Sequence, residues 1–264
     1  MIELNTVYNE NCLIGMSRIP DKSIDLILAD LPYGTTACKW DTIIPFEPLW
    51  EQYERVIKDN GAIVLTASQP FTTDVINSNR KIFKYCWIWD KISCTGAMLA
   101  KKQPMRAYED IAVFYKIQPT YNPQLRDKPK NDIRINNIDI VNNSQTHSQS
   151  GIKKHQKRHQ GREIPFDKSY PTNVVRINNY GKGYNRLHPT QKPVALFEYL
   201  IKTYTNEGET VLDNCMGSFT TAISAINTNR NYIGFEMDEN YFKIGSERVK
   251  KHMENKTDLF NIAI

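Results

Sequence analysis

Three short runs in this 264-residue chain bring together side chains that could do chemistry. The first is Asp30-Leu31-Pro32-Tyr33, which follows the apolar stretch IDLILAD. A carboxylate and the Leu31 carbonyl are hydrogen-bond acceptors, Pro32 stiffens the backbone, and Tyr33 adds a flat face. Two acceptors beside an aromatic plate suit an exocyclic amino group on a planar heterocycle, although a plain strand-to-turn junction accounts for the same residues. The second run, Val211-Leu212-Asp213-Asn214-Cys215-Met216-Gly217-Ser218, reads as a strand, a glycine loop and the start of a helix. Ligands can approach the backbone closely there, and the helix N-terminus favours anionic groups. Tyr232-Ile233-Gly234-Phe235-Glu236 then ends a second strand in an acid, where a nucleotide ribose is held in doubly wound folds. Neither GxGxxG nor GxxxxGK[ST] is present, which disfavours a dinucleotide and an NTPase and leaves a small adenosine-type cofactor. The third run, His188-Pro189-Thr190-Gln191-Lys192-Pro193, precedes a helix and serves equally as a cap or as a polar wall for a ligand.

The elements around these runs alternate. Strands are predicted over residues 24–30, 62–67, 83–90, 110–116, 210–213 and 232–236, from short apolar or aromatic stretches bounded by turn residues. Helices are predicted over 46–59, 69–79, 193–204, 219–228 and 240–252, with Asn60-Gly61 as the stop of the first. Strands alternating with helices make an α/β fold, a mostly parallel sheet covered on both faces. Trp87 and Trp89, on an aromatic strand, are read as packing groups.

Charge divides the chain. Residues 119–186 hold thirteen Lys and Arg against five Asp and Glu, a net +8, while the rest of the chain is −3. This section lacks hydrophobic periodicity, so the plan is an α/β body (1–118 and 187–264) interrupted by a basic, irregular insertion at 119–186. Its densest part includes Lys153, Lys154, Lys157, Arg158 and Arg162, read either as a solvated loop or as a surface that neutralises nucleic-acid phosphates. His155 and His159 have no Cys or second His pair nearby, and no metal is expected. Five scattered cysteines without a CxxC pair argue against a disulfide framework or zinc site and for a reducing cytoplasm. No stretch approaches the ~18 apolar residues of a membrane span, and the first residues lack a secretory-signal pattern.

In their order, these motifs resemble the β class of DNA amino-methyltransferases: Asp-Leu-Pro-Tyr, a basic variable region, His-Pro-Thr-Gln-Lys-Pro, Asp-Asn-Cys-Met-Gly-Ser and Gly-Phe-Glu. The resemblance runs from about Asn5 to His252. It implies a Rossmann-like methyltransferase fold with circularly permuted motif order, S-adenosyl-L-methionine as cofactor and double-stranded DNA as partner. A homodimer and a cognate restriction endonuclease are further partners the resemblance allows. It also implies a catalytic set of Asp30, Leu31, Pro32 and Tyr33, with base flipping to expose an adenine N6 amine. Glu236 would hold the ribose, Asp213 with Cys215, Gly217 and Ser218 the methionine side, Asn11 and Cys12 the adenine, and Thr190 and Lys192 the amino-acid end, with Asp30 beside the cofactor. The insertion would be the target-recognition region.

Two residues depart from the family pattern: Leu31 replaces a first proline, and Phe219 stands where a second glycine is common. Phe219 could enter the core, crowd the cofactor or redirect the loop. Cytosine N4 as target, a DNA-binding module with a damaged cofactor loop, and a protein amide methyltransferase are the competing readings.

Overall fold

The computed structural model describes residues 2–34, 41–128, 164–165, 167–179 and 191–262. They fall into two compact units, Met1–Asn122 with Thr172–Ile264, and Pro123–Pro171.

The larger unit is built on an eight-stranded sheet. In chain order its elements are β1 (Thr6–Tyr8), α1 (Cys12–Met16), β2 (Ile24–Asp30), α2 (Phe46–Val56), β3 (Ile57–Ala67), α3 (Phe71–Ser78), β4 (Phe83–Thr95) and β5 (Arg106–Phe114). The smaller unit supplies β6 (Arg126–Asp127) and β7 (Lys168–Ser169), an antiparallel pair closed by the Lys168–Asp127 ion pair. The larger unit resumes with β8 (Val174–Arg176), α4 (Val194–Tyr204), β9 (Thr210–Asp213), α5 (Thr220–Asn227), β10 (Asn231–Phe235) and α6 (Glu239–Ile262). The sheet order is β1-β10-β9-β2-β3-β5-β4-β8, parallel except that β5 runs against both its neighbours.

Alternation along the strands sends side chains to two cores. Ile27 and Ala29 of β2, Ile63 and Leu65 of β3, and Leu212 of β9 meet α1, α2 and α3 on one face. Leu26, Leu28, Ala62, Val64 and Val211 meet α4, α5 and Val249 of α6 on the other. Burial on both faces explains why these strands read as unbroken apolar runs. In α2, Leu49, Trp50, Tyr53 and Val56 repeat at helical spacing and all are buried.

Three expectations need correction. The first helix ends at Val56, and Asn60-Gly61 lies inside β3, whose exposed beginning pairs only partly with β2 across a register shift. Residues 174–176, assigned by sequence to the irregular insertion, form an edge strand of the main sheet, and the smaller compact unit, 123–171, lies within the expected 119–186. β4 runs on to Thr95 and β5 starts early at Arg106, the two still paired past a register shift. No helix among the described residues is long and apolar enough to cross a membrane.

Candidate active site

The parallel strands deliver the acids to one edge. Asp30 ends β2, Thr66 lies beside it on β3, Asp213 ends β9 and Glu236 follows β10. Because β5 is antiparallel, its first residues, including Glu109, come to this same edge, next to Lys91 of β4. A cavity of about 540 Å³ opens here, lined among others by Asn11, Cys12, Asp30, Leu31, Pro32, Tyr33, Glu109, Lys192, Asn214, Cys215, Gly217 and Glu236. Open α/β sheets bind ligands at the carboxyl ends of their strands.

Asp30 is fixed from three sides. Its Oδ1 accepts hydrogen bonds from the Tyr33 hydroxyl (2.8 Å) and the Thr66 hydroxyl, and its Oδ2 receives the Lys192 ammonium at 2.6 Å. Lys192 also stands 3.5 Å from Oε2 of Glu109, whose Oε1 pairs with Lys91 at 2.6 Å. Burial works against the Lys192 charge, but the Asp30 and Glu109 carboxylates outweigh it and hold the ammonium above the ordinary lysine range. Burial likewise opposes the Glu109 charge, and Lys192 and Lys91 overcome it, keeping that carboxyl below its usual range. The Tyr33 phenol is pushed up by burial and then by the Asp30 charge, so it stays protonated and donates. Its ring stacks on Phe71 with centroids 5.0 Å apart. Leu31 packs its side chain into the core and also borders the cavity.

Across the cavity, Glu236 organises the glycine loop. Its Oε2 accepts from the Gly217 N–H at 2.7 Å and its Oε1 from the Asp238 N–H at 2.8 Å. Each oxygen keeps a lone pair, a pattern suited to a vicinal diol. Burial raises this carboxyl above the usual range. Gly217 has φ +51°, a backbone that favours glycine. The Asn11 side chain accepts from the Leu13 N–H (2.9 Å), starting α1 and presenting Cys12 to the cavity. The Asn214 amide lies 3.6 Å from the Cys12 sulfur and 3.4 Å from that of Cys215, and its oxygen accepts from the Tyr53 hydroxyl.

Several expected residues stand elsewhere. Asp213 turns inward: it accepts from the Cys215 N–H (2.9 Å) and the Thr221 hydroxyl, and burial pushes its carboxyl up to about 7. It shapes the loop without lining the cavity. Ser218 is also buried away from it, with its carbonyl and hydroxyl facing Arg248 of α6. Lys192 lines the cavity with its ammonium on Asp30.

Phe219 takes the left-handed conformation (φ +61°) in which a glycine would be unstrained, yet its ring leaves the cavity. It is 2% exposed, packs 5.9 Å from Phe242 and lies against Gly245, where a Cβ would come within 2.3 Å of it. A glycine on α6 therefore makes room for the phenyl ring.

Thr190 and the basic residues Lys153, Lys154, Lys157, Arg158 and Arg162 lie outside the described residues, as do His155 and His159. Among the described residues there is no cluster able to hold a metal. Trp87 and Trp89 are buried as expected, and Trp89 also reaches the cavity wall. Sequence reading missed Thr66 and Lys91, and it placed Glu109, with Arg106 and Tyr108, in a stretch that resembles a family motif near the active site without giving it a role. Thr66 directly opposes Asp30 on the neighbouring strand, so pairing the two predicted strands could have found it.

A doubly wound sheet that points two acid-tipped strands into one cavity has the form of a nucleotide-binding α/β enzyme. Comparison with known proteins narrows the class. A family profile described as DNA methylase, of N6 and N4 methyltransferases, matches residues 24–247. DNA adenine methyltransferase YhdJ of Escherichia coli is 30% identical over 265 residues, covering 94% of this chain and 83% of that protein. Among solved structures, the M1.HpyAVI–SAM complex is similar with a TM-score of 0.58 at 20% identity, covering 92% of this chain and 98% of that one. The cytosine-N4-specific PvuII DNA methyltransferase aligns with a TM-score of 0.64 at 15% identity, covering 93% and 86%. The chain belongs to the DNA methylase family and is a DNA methyltransferase of the N6/N4 type.

Proposed function

We propose that this protein transfers a methyl group from S-adenosyl-L-methionine to the N6 amine of an adenine flipped out of duplex DNA. The observation that carries this reading is Asp30: Tyr33 and Thr66 hold its Oδ1 at the cavity wall, and its Oδ2, which carries the Lys192 ammonium alone, is the oxygen offered to an incoming amine. The identity to a relative named as an adenine methyltransferase favours adenine over cytosine.

The residues present fit the cofactor. Glu236 would hold the ribose hydroxyls, Asn11 and Cys12 would border the adenine, and Cys215 and Gly217 would follow the methionine chain. Glu10, Asp30, Asp41, Glu109, Glu236 and Asp238 outnumber Lys91, Arg106 and Lys192 in the cavity wall, which favours a cation there. The bound cofactor supplies an electrophilic methyl group on a positively charged sulfur.

The chain's own residues do the rest. An adenine amine is a poor nucleophile because its lone pair is delocalised into the ring. Asp30 Oδ2 and the Leu31 carbonyl would each accept one of its hydrogens, drawing the nitrogen toward tetrahedral geometry and localising the pair. With the methyl group passed from sulfur to nitrogen and a neutral thioether left behind, the surplus proton on the nitrogen would pass to Asp30 Oδ2 and then to solvent. The Tyr33 ring, backed by Phe71, is held rigid for the base to stack on. The basic residues Lys153, Lys154, Lys157, Arg158 and Arg162 supply phosphate contacts. The case for a non-catalytic module rested on Phe219, and its ring is in the core.

Incubation with tritiated S-adenosyl-L-methionine and unmethylated mixed-sequence DNA, followed by nucleoside analysis, tests this reading. Label in N6-methyladenine is expected. Label in N4-methylcytosine would move the target to cytosine, and label in neither would refute the proposal.

A further inference from the structure

Glu109 carries a feature that the proposed chemistry leaves unexplained. Among the described residues, its Oε2 is the buried side-chain oxygen that accepts no hydrogen bond. A buried acceptor without a donor is uncommon and unfavourable. The neighbouring oxygen is pinned by Lys91, itself buried, so the carboxylate cannot rotate to satisfy both. Lys192 Nζ stands between two carboxylates, 2.6 Å from Asp30 Oδ2 and 3.5 Å from this orphan oxygen.

We propose that Glu109 is a second berth for Lys192: the ammonium rests on the Asp30 oxygen that the substrate amine needs, and on arrival of the amine it shifts to Oε2 of Glu109. This rests on the reading of Asp30 as the amine acceptor. The move is small. Closing 3.5 Å to the ~2.8 Å of a charge-assisted hydrogen bond at Glu109, while opening the 2.6 Å contact at Asp30 beyond hydrogen-bond distance, takes about 1 Å, within reach of modest torsion changes along a lysine stem. It is also electrically neutral, since Lys91 and Lys192 balance Asp30 and Glu109 in either arrangement.

Its consequence is for rate. During methyl transfer positive charge passes onto the amine nitrogen, and an ammonium still seated on Asp30 would oppose that charge at close range. With Lys192 drawn to Glu109, the Asp30 carboxylate faces the developing charge alone. Lys192 thus acts as a place-holder for the amine, and Glu109 as a positioning residue that works through Lys192.

The test is a double-mutant cycle with Glu109→Gln, Lys192→Gln and the pair, read as single-turnover methyl transfer to unmethylated mixed-sequence DNA with saturating cofactor. Glu109→Gln is expected to slow transfer tenfold or more, with DNA and cofactor affinities within twofold of wild type. Glu109→Asp is expected to recover part of the loss. The double variant is expected to be no slower than Lys192→Gln alone. Wild-type rate in Glu109→Gln, or losses that multiply in the double variant, would overturn the proposal. Should Glu109→Gln not fold, a crystal structure of the wild type with a flipped base in the pocket decides. Lys192 Nζ within hydrogen-bond distance of Glu109 Oε2 supports the shift, and Nζ still on Asp30 refutes it. A wild-type enzyme inert on DNA would overturn the underlying function as well, and so is distinguishable from failure of the shift alone.

Discussion

Replacing Phe219 with glycine should destabilise the protein while leaving the cofactor site intact. Two opposing effects set the size. The ring is 2% exposed, between Phe242 and Gly245, and truncating a phenylalanine buried in this way costs about 3–5 kcal/mol. Against that, the φ of +61° at this position is strained for a residue with a Cβ, and glycine recovers about 1–2 kcal/mol. The net loss is about 1–4 kcal/mol. For a domain of this size each kcal/mol corresponds to roughly 2–4 °C, so the melting temperature should fall by about 2–16 °C. Urea unfolding gives the free energy, and titration calorimetry with S-adenosyl-L-methionine gives the affinity of the folded variant, expected within a few-fold of wild type. An affinity gain of tenfold or more, or no loss of stability, would refute the placement of this ring in the core.

Two further predictions concern buried titrating groups. Asp213 has its carboxyl raised from 3.8 to about 7, so its contribution to stability is fully present below the unfolded value near 3.8 and is lost as pH rises through about 7. The shift amounts to at most about 4 kcal/mol, and Asp213→Asn should flatten the decline in wild-type melting temperature between pH 5 and 8; equal slopes in the two proteins would contradict this. The Cys12 thiol is lowered to about 7, chiefly because the Cys215 S–H and then the Asn214 amide donate to its sulfur. Its alkylation by iodoacetamide should therefore rise steeply around pH 7, and S-adenosylhomocysteine should protect it; modification that the nucleoside does not slow would place Cys12 outside the cofactor pocket.

What could be read from sequence followed from burial. β2 and β9 were legible because strands covered on both faces are unbroken apolar runs. The beginning of β3 was misread because Lys58, Asp59 and Asn60 are not buried, and an exposed polar stretch ending in Asn-Gly has the signature of a helix stop. β8 was lost because a three-residue edge strand with a buried centre carries almost no pattern. Among the site residues, Asp30 and Glu236 announced themselves as acids at strand ends. The partnership of Asp30 with Lys192 spans 162 residues of sequence, and Glu109 reaches it only because β5 runs antiparallel, so no local spacing encodes either contact. Phe219 was legible as a departure, but its destination depended on Gly245, a residue on another element.

Methyl transfer to DNA by Asp30→Ala tests the central claim most directly. With S-adenosyl-L-methionine and DNA affinities measured alongside, the account predicts a fall in transfer of about a hundredfold to a thousandfold, the scale of removing a group that acts on the reacting atom, with DNA binding nearly unchanged. Transfer at close to the wild-type rate would contradict it.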